Sequence, residues 1–186
     1  SVKRDVHDLT IARRRDFGPA VLFDPTGATG LPAVRWSPLL SSVTFPDATK
    51  TATWLTDAAA VEDRHETAKF GETLATKLLA PLLYAAANTG RTITDVSHWV
   101  DRSAFDDVAA ILGQLGDDDA TAAWQAITDL PHETRGSVLG TAMAIFRAFG
   151  SPRVRAATHC TPGDTGEDTL NIARLLRDNG TLYLVS

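Results

Sequence analysis

Two short runs of uninterrupted apolar residues lie near opposite ends of the chain, and they constrain the fold more than any other feature. The runs are Ala20–Phe23 and 181–185, which are bounded by the turn-forming pairs Asp24-Pro25 and Asn179-Gly180. Continuous apolar character is typical of strands in a parallel sheet whose two faces are both covered. Two strands, even with a third at Ser1-Val2, do not make a stable sheet of that kind. Because the chain also begins without Met and ends directly after a strand, we interpret it as a segment of a longer protein.

The sequence between the two runs has the pattern of several short helices. The strongest prediction is a helix over 67–88, where Phe70, Leu74, Leu78 and Leu82 form one apolar stripe. Helices are predicted over 5–17, 48–61, 67–88, 92–100, 103–112, 122–130, 131–149 and 168–178. The predicted fold is mainly α, with a helical bundle inserted in part of a parallel α/β sheet of two or three strands. Residues 1–46 and 161–186 are assigned to the α/β part, and residues 47–160 to an all-α domain.

Capping residues and tryptophans support this assignment. Thr92 and Asp95 resemble a capping box, Ser103 is a predicted helix cap, and Asp117 opens an acidic run at the start of the next helix. Tryptophans are more often packing residues than platforms for stacked bases when they lie at core-like positions of helices and loops. On this ground we expect all four of them to contribute to the core: Trp36, Trp54, Trp99 and Trp124.

Composition excludes several classes of protein. The 186 residues are enough for one domain with a sizeable core, and no stretch approaches the roughly 20 apolar residues that span a bilayer. The net charge of −5 disfavours a globally basic nucleic-acid binder. A single cysteine, Cys160, excludes an internal disulfide framework and a multi-thiolate zinc site.

Motifs for catalysis, cofactor binding or metal binding are missing from the sequence. It contains no G-x-x-x-x-G-K-S/T, no G-x-G-x-x-G, no G-x-S-x-G and no H-E-x-x-H. We interpret His159-Cys160 as a loop histidine beside a semi-buried thiol. The acidic runs 106–107 and 117–119 are better explained as helix N-termini than as a metal site. No catalytic, cofactor-binding or metal-binding residue is predicted.

One basic concentration near the N-terminus is a candidate contact with nucleic acid or a protein partner. It comprises Lys3, Arg4, Arg13, Arg14 and Arg15. Phosphate contacts are one interpretation and a solvated helix face is the other, favoured one. We expect the three consecutive arginines to be exposed to solvent. A smaller concentration lies at 153–155.

The order of these features resembles one protein family. The sequence Ser1-Val2-Lys3-Arg4-Asp5, followed by Thr10, Arg14, Gly18 and a strand ending in Phe23-Asp24-Pro25, is similar to the D-x-K-x-E stretch that follows the Walker A helix in type IV secretion coupling proteins of the TraG/TraD kind. Arg35-Trp36-Ser37-Pro38-Leu39 is similar to their R-W-N/S-P-L stretch. The helices over 70–100 and the strand beginning Gly180-Thr181-Leu182-Tyr183 also have counterparts there. The chain departs from the family at Ser1, where an acid is usual, and at Gly71, where an aromatic residue is common.

The resemblance implies the role of this segment. Members of the family are membrane-anchored, hexameric, FtsK-like ATPases that deliver DNA and relaxase to a conjugation channel. The helices would be their all-α domain, inserted between Walker A and Walker B regions that lie outside this chain. Such a module would recognise relaxase, another secreted protein or DNA on the cytoplasmic side of the membrane, without membrane contact or catalysis of its own. ATP and Mg²⁺ would belong to the full-length homohexamer.

Two other interpretations remain open at this point. The chain is alternatively a free-standing helical protein-interaction domain, or a small enzyme with a cleft of convergent polar groups. The surface around Val21 and Leu184 distinguishes the first alternative from the motor hypothesis. If the two strands pack edge to edge beside an exposed apolar face, the motor hypothesis is favoured.

Overall fold

A computed structural model describes residues 4–59 and 66–185, with the side chains of 66–70 left out. The predicted mainly α fold with a parallel pair of strands is confirmed. Single-turn 3₁₀ helices cover Pro38–Ser41 and Arg147–Gly150. In chain order, the remaining elements are α1 (Arg4–Arg15), β1 (Ala20–Phe23), α2 (Phe45–Ala59), α3 (Glu66–Ala87), α4 (Ile93–Arg102), α5 (Asp106–Leu115), α6 (Asp118–Thr128), α7 (His132–Phe146), α8 (Pro152–Ala157), α9 (Ile172–Arg177) and β2 (Thr181–Leu184).

The two strands pair in parallel although almost the whole chain separates them. Ala20 lies opposite Thr181, and the register continues to Phe23 opposite Leu184. One face of the pair packs on α1, where the hydroxyls of Thr10 and Tyr183 are 2.7 Å apart. The predicted third strand at Ser1-Val2 lies outside the described residues.

The opposite face of the strand pair is partly open: Trp36 packs against Phe23 of β1, whereas β2 is left exposed. Leu182 and Leu184 point to this face and are 38% and 50% exposed. Within the part of the chain that the structure describes, the outer edge of β2 has no partner strand. The two strands therefore pair side by side, and exposed apolar side chains of β2 lie on this face.

The helical domain, α2 to α7, is built around α3. This helix is buried on all sides from Leu78 to Ala87, because α2, α6 and α7 pack against it. Its core is separate from the small cluster under the sheet, which consists of Leu22, Tyr183 and Val185. The two parts of the molecule therefore bury their apolar side chains independently.

The buried face of α2 differs from the prediction. Trp54 is 59% exposed, so its assignment to the core is wrong, whereas Ala48 and Ala52 are fully buried. Small residues allow the backbones of α2 and α3 to approach closely, and the large indole is left on the outside. The predicted helix end at Val61 lies outside the described residues, as does the side chain of Phe70.

Two of the predicted helix caps are correct and one is wrong. The Thr92 amide donates to the Asp95 carboxylate at 2.7 Å, and the Ala120 amide donates to Asp117 at 2.9 Å. Ser103 ends α4 instead of capping α5, because its backbone adopts the left-handed conformation with φ of 50°. Phe105 occupies the position before α5.

The end of the chain returns to the sheet through an extended segment that was predicted to be helical. The Arg35 amide donates to the Asp168 carbonyl at 2.6 Å, and the Leu170 amide donates back to the Arg35 carbonyl at 2.8 Å. Because of this pairing, α9 begins only at Ile172. The Asn171 side chain caps the helix by accepting a hydrogen bond from the Arg174 amide at 2.8 Å. The short helix α8 had no counterpart in the predictions.

Candidate functional site

The predicted basic cluster divides into two places along α1. Arg13, Arg14 and Arg15 occupy the last turn, where cations complement the helix dipole, and all three are exposed as predicted. Arg4 lies in the first turn, about 15 Å away at 1.5 Å per residue, and binds the Asp8 carboxylate. Lys3 lies outside the described residues. Among the members of this cluster that the structure describes, the three consecutive arginines are adjacent and Arg4 lies apart from them.

Two arginines that the sequence analysis missed lie on α9, whose C-terminal end contacts the turn after α1. A side chain on Gly18 would lie 2.7 Å from the Asn179 carbonyl, so the turn after α1 packs directly on the end of α9. Arg174 and Arg177 both pair with the Asp178 carboxylate at that end of α9, at 3.6 and 3.3 Å. We call the five arginines at 13, 14, 15, 174 and 177 the basic end of the sheet. The parallel pairing of β1 and β2 brings the end of α1 next to the end of α9, which the sequence alone does not show.

The carboxyl end of β1 holds a buried acid with a structural role. Burial alone would raise the pKa of the Asp24 carboxyl. Hydrogen bonds from the hydroxyl and amide of Thr29, the hydroxyl of Thr26 and the amide of Ala28 outweigh burial and hold that pKa far below its usual range. A carboxylate committed to four donors closes the loop after β1 and has no capacity left for acid–base chemistry.

An open cleft of about 430 Å³ lies beside this loop, and Arg35 and Arg153 line it. The Arg35 guanidinium donates to the His159 carbonyl at 2.7 Å and pairs with Asp168 at 2.8 Å. Arg153 donates to the Thr26 carbonyl at 2.9 Å. Both cations therefore hold chain segments together, and the smaller basic concentration at 153–155 lies at the other end of the sheet from the basic end.

The His159-Cys160 pair forms no reactive site. Cys160 is 1% exposed, and burial raises the pKa of its thiol to about 11. His159 is exposed. A protonated, enclosed thiol is a poor nucleophile and a poor metal ligand at neutral pH.

Charge is distributed unevenly between the two parts of the molecule. Residues 45–150 contain fifteen acidic and eight basic side chains, a net charge of −7. The remaining residues contain ten basic and eight acidic side chains, a net charge of +2. The helical domain therefore repels polyanions, and any phosphate contact is better placed at the basic end of the sheet.

An apolar concavity of the helical domain lies between α5, α6 and α7. It has a volume of about 390 Å³. Its walls include Phe105, Trp124 and Leu139, and its rim includes Asp106 and Arg135. We call it the α5–α7 cleft.

Searches for other kinds of site gave no candidates within residues 4–59 and 66–185. In these ranges no three side chains of His, Cys, Asp or Glu converge as ligands for a metal ion. Among the helices described, none combines the length and the apolar character needed to cross a membrane. Comparison of the chain with protein-family models, curated proteins and solved structures gave no match.

Proposed function

We propose that this chain is the substrate-recognition module of a conjugative DNA-transfer ATPase, a coupling protein of the TraG/TraD kind. The observation that carries the proposal is the parallel pairing of β1 and β2 across residues 24–180. Parallel neighbours need a crossover of a dozen or more residues, which is usually a single helix. Here the crossover contains a bundle with a core of its own, which is the arrangement expected of an all-α domain inserted in a motor domain.

The open sheet supports the motor hypothesis further. Leu182 and Leu184 are exposed on one face of the strands, and Leu9 of α1 and Leu176 of α9 are 83% and 75% exposed. Parallel sheets are normally covered on both faces, and two strands rarely suffice. Additional strands and helices of a larger α/β domain would cover these side chains.

The charge distribution favours a protein partner for the helical domain. A surface with a net charge of −7 gains nothing from counterion release on DNA, whereas it attracts a basic protein surface. We therefore assign recognition of relaxase, or of another secreted protein, to α2–α7. Any DNA contact is assigned to the basic end of the sheet, near Arg13, Arg14 and Arg15.

The coding region on either side of this segment provides the first test. The proposal expects a G-x-x-x-x-G-K-S/T motif shortly upstream and an apolar strand ending in Asp-Glu downstream. Stop and start codons at the present ends would instead favour a free-standing helical interaction domain, and the motor assignment would be wrong.

Function is tested in the complete protein. Replacing residues 37–150 with a short Gly/Ser linker should preserve ATP hydrolysis and abolish transfer of the relaxase–DNA complex to recipient cells. The isolated 186-residue chain should hydrolyse no ATP. Unchanged transfer by the shortened protein, or turnover by the purified chain that survives removal of contaminants, would contradict the proposal.

A further inference from the structure

The α5–α7 cleft has the walls of a site for apolar side chains. The rings of Phe105 and Trp124 meet edge to face at 5.3 Å between centroids and form one wall. Val138 and Leu139 of α7 and Ile127 of α6 supply the remainder. Phe105 and Leu139 are only partly buried, so the apolar surface continues from the core to the cleft opening. Trp124 is only 6% exposed, so the half-buried Phe105 is the aromatic residue that a partner would contact. Aromatic side chains are enriched at the centre of protein–protein interfaces.

Three exposed carboxylates belong to residues that line the cleft or directly follow a lining residue in sequence. Asp106 lines the opening, Asp129 directly follows the lining residue Thr128, and Glu133 directly follows the lining residue His132. All three carboxylates are exposed, and in the part of the chain that the structure describes none of them forms an ion pair.

Arg135, the arginine that lines the cleft, already has a hydrogen-bond partner within the chain. The Arg135 guanidinium donates to the Thr128 carbonyl at 2.8 Å and so ties α7 to the end of α6. These three carboxylates, one on a lining residue and two directly after lining residues, outnumber this arginine, in keeping with the negative charge of the whole helical domain. A segment that enters the cleft is therefore attracted if it is basic and repelled if it is acidic.

We propose that the α5–α7 cleft binds an apolar side chain presented by a positively charged segment of the transferred protein. This inference rests on the proposed function, because it locates partner recognition at one place in the helical domain. A volume of about 390 Å³ is enough for one or two large apolar side chains, which suits anchors on one face of a short helix. The carboxylates of the rim then bind the flanking basic residues and select against DNA and acidic proteins.

A matched pair of glycine variants tests the proposal. Gly136 of α7 lines the cleft, whereas Gly113 of α5 does not. Both positions are exposed, and a β-carbon added at either one would have no other atom within 4 Å. Gly136→Phe fills the opening and Gly113→Phe places the same ring elsewhere. Since both positions are exposed and a β-carbon meets no clash at either, both proteins should fold, which circular dichroism and thermal unfolding would verify.

The probe is a phage-displayed library of random peptides of about twelve residues, long enough to present anchors at i, i+3, i+4 and i+7 of a helix. The library is selected on the complete 186-residue chain. We expect enriched peptides to combine an aromatic or large aliphatic residue with net positive charge. Their affinity, measured by fluorescence anisotropy, should fall at least about tenfold for Gly136→Phe and less than about twofold for Gly113→Phe.

A second variant tests the role of charge. Converting Asp106, Asp129 and Glu133 to Asn, Asn and Gln should weaken the same peptides and reduce the salt dependence of their binding. Failure to enrich peptides, enrichment of acidic or entirely polar sequences, or equal binding by the two glycine variants would overturn the proposal. A chain that dimerises in solution, and becomes monomeric only with Gly136→Phe, would assign the cleft to a second copy and also overturn it.

These results are separable from those that test the proposed function. If Gly136→Phe abolishes peptide binding while the flanking coding region lacks motor motifs, the cleft is correct and the motor assignment is wrong. If motor motifs are present and transfer requires residues 37–150, but the peptides bind Gly136→Phe as tightly as the native chain, the motor assignment stands and the cleft proposal is wrong.

Discussion

Removing the negative charge of Asp24 should destabilise the α/β part of the molecule strongly. The carboxylate is 7% exposed and accepts four hydrogen bonds of 2.7 to 3.1 Å from Thr26, Ala28 and Thr29. The Asn side chain in Asp24→Asn keeps one acceptor oxygen. Its amide nitrogen is itself a donor and faces two of the four donors, so two hydrogen bonds are lost. A hydrogen bond to a charged group contributes about 1.5 to 3 kcal/mol, and hydroxyls can rotate away, so we expect a loss of about 3 kcal/mol in the free energy of unfolding.

The same charge predicts a dependence on pH with a definite sign. Folding lowers the pKa of Asp24 from 3.8, its value in the unfolded chain. The Asp24 carboxylate therefore contributes its full stabilisation of the folded state above pH 3.8, and this stabilisation decreases as the pH falls below 3.8. At about pH 3 the unfolded chain is largely protonated at this position while the folded chain is not. The difference in stability between the native protein and Asp24→Asn should therefore be smaller at pH 3 than at pH 7, by about 1 kcal/mol.

Urea unfolding, followed by hydrogen exchange of the peptides that cover β1 and β2, measures both effects. The matched control is Asp47→Asn, since the Asp47 side chain is 51% exposed and contacts Thr44 and Lys50 at the surface, where solvent screens ion pairs. A loss for Asp24→Asn that is no larger than for Asp47→Asn would refute the argument. So would a difference from the native protein that is the same at both pH values.

Three further outcomes are expected. Leu79→Ala, at a fully buried position of α3, should lower the free energy of unfolding by about 2 to 5 kcal/mol and the melting temperature by about 10 °C in calorimetry. Cys160, with the pKa of its thiol raised to about 11, should react with a disulfide reagent at pH 8 at least about a hundredfold more slowly than after denaturation. Residues 37–150 produced alone should fold cooperatively, because they contain the whole core around α3; a chain without cooperative unfolding would contradict this.

The elements that local sequence determines were predicted well. The strands at Ala20–Phe23 and Thr181–Leu184 were found because continuous apolar runs end at turn-forming residues. The caps at Thr92 and Asp117 were found because their hydrogen bonds reach only three residues along the chain. Ser103 was misassigned since a serine near a helix boundary either caps the next helix or ends the previous one.

Features that depend on tertiary packing could not be predicted. Trp54 was placed in the core because large apolar residues usually define the buried face, whereas α2 packs through alanines. The candidate sites depend on the same kind of information. Arg174 and Arg177 join the basic end of the sheet through strand pairing, and the α5–α7 cleft exists only where three helices meet.

Under the proposed function, the separation of the two cores would allow a recognition domain to be carried inside a motor domain. The ends of the helical domain return to the same place, because Arg35 pairs with Thr169 and the Trp36 amide donates to the Ala157 carbonyl at 2.9 Å. For the sheet, such an insertion is equivalent to one long connection between β1 and β2. The free-energy penalty of closing a loop grows only with the logarithm of its length. The bundle can then change its surface, including the acidic rim of the α5–α7 cleft, without disturbing the register of β1 and β2. Under the proposed function, this arrangement allows specificity for the transferred protein to vary while the motor domain stays the same.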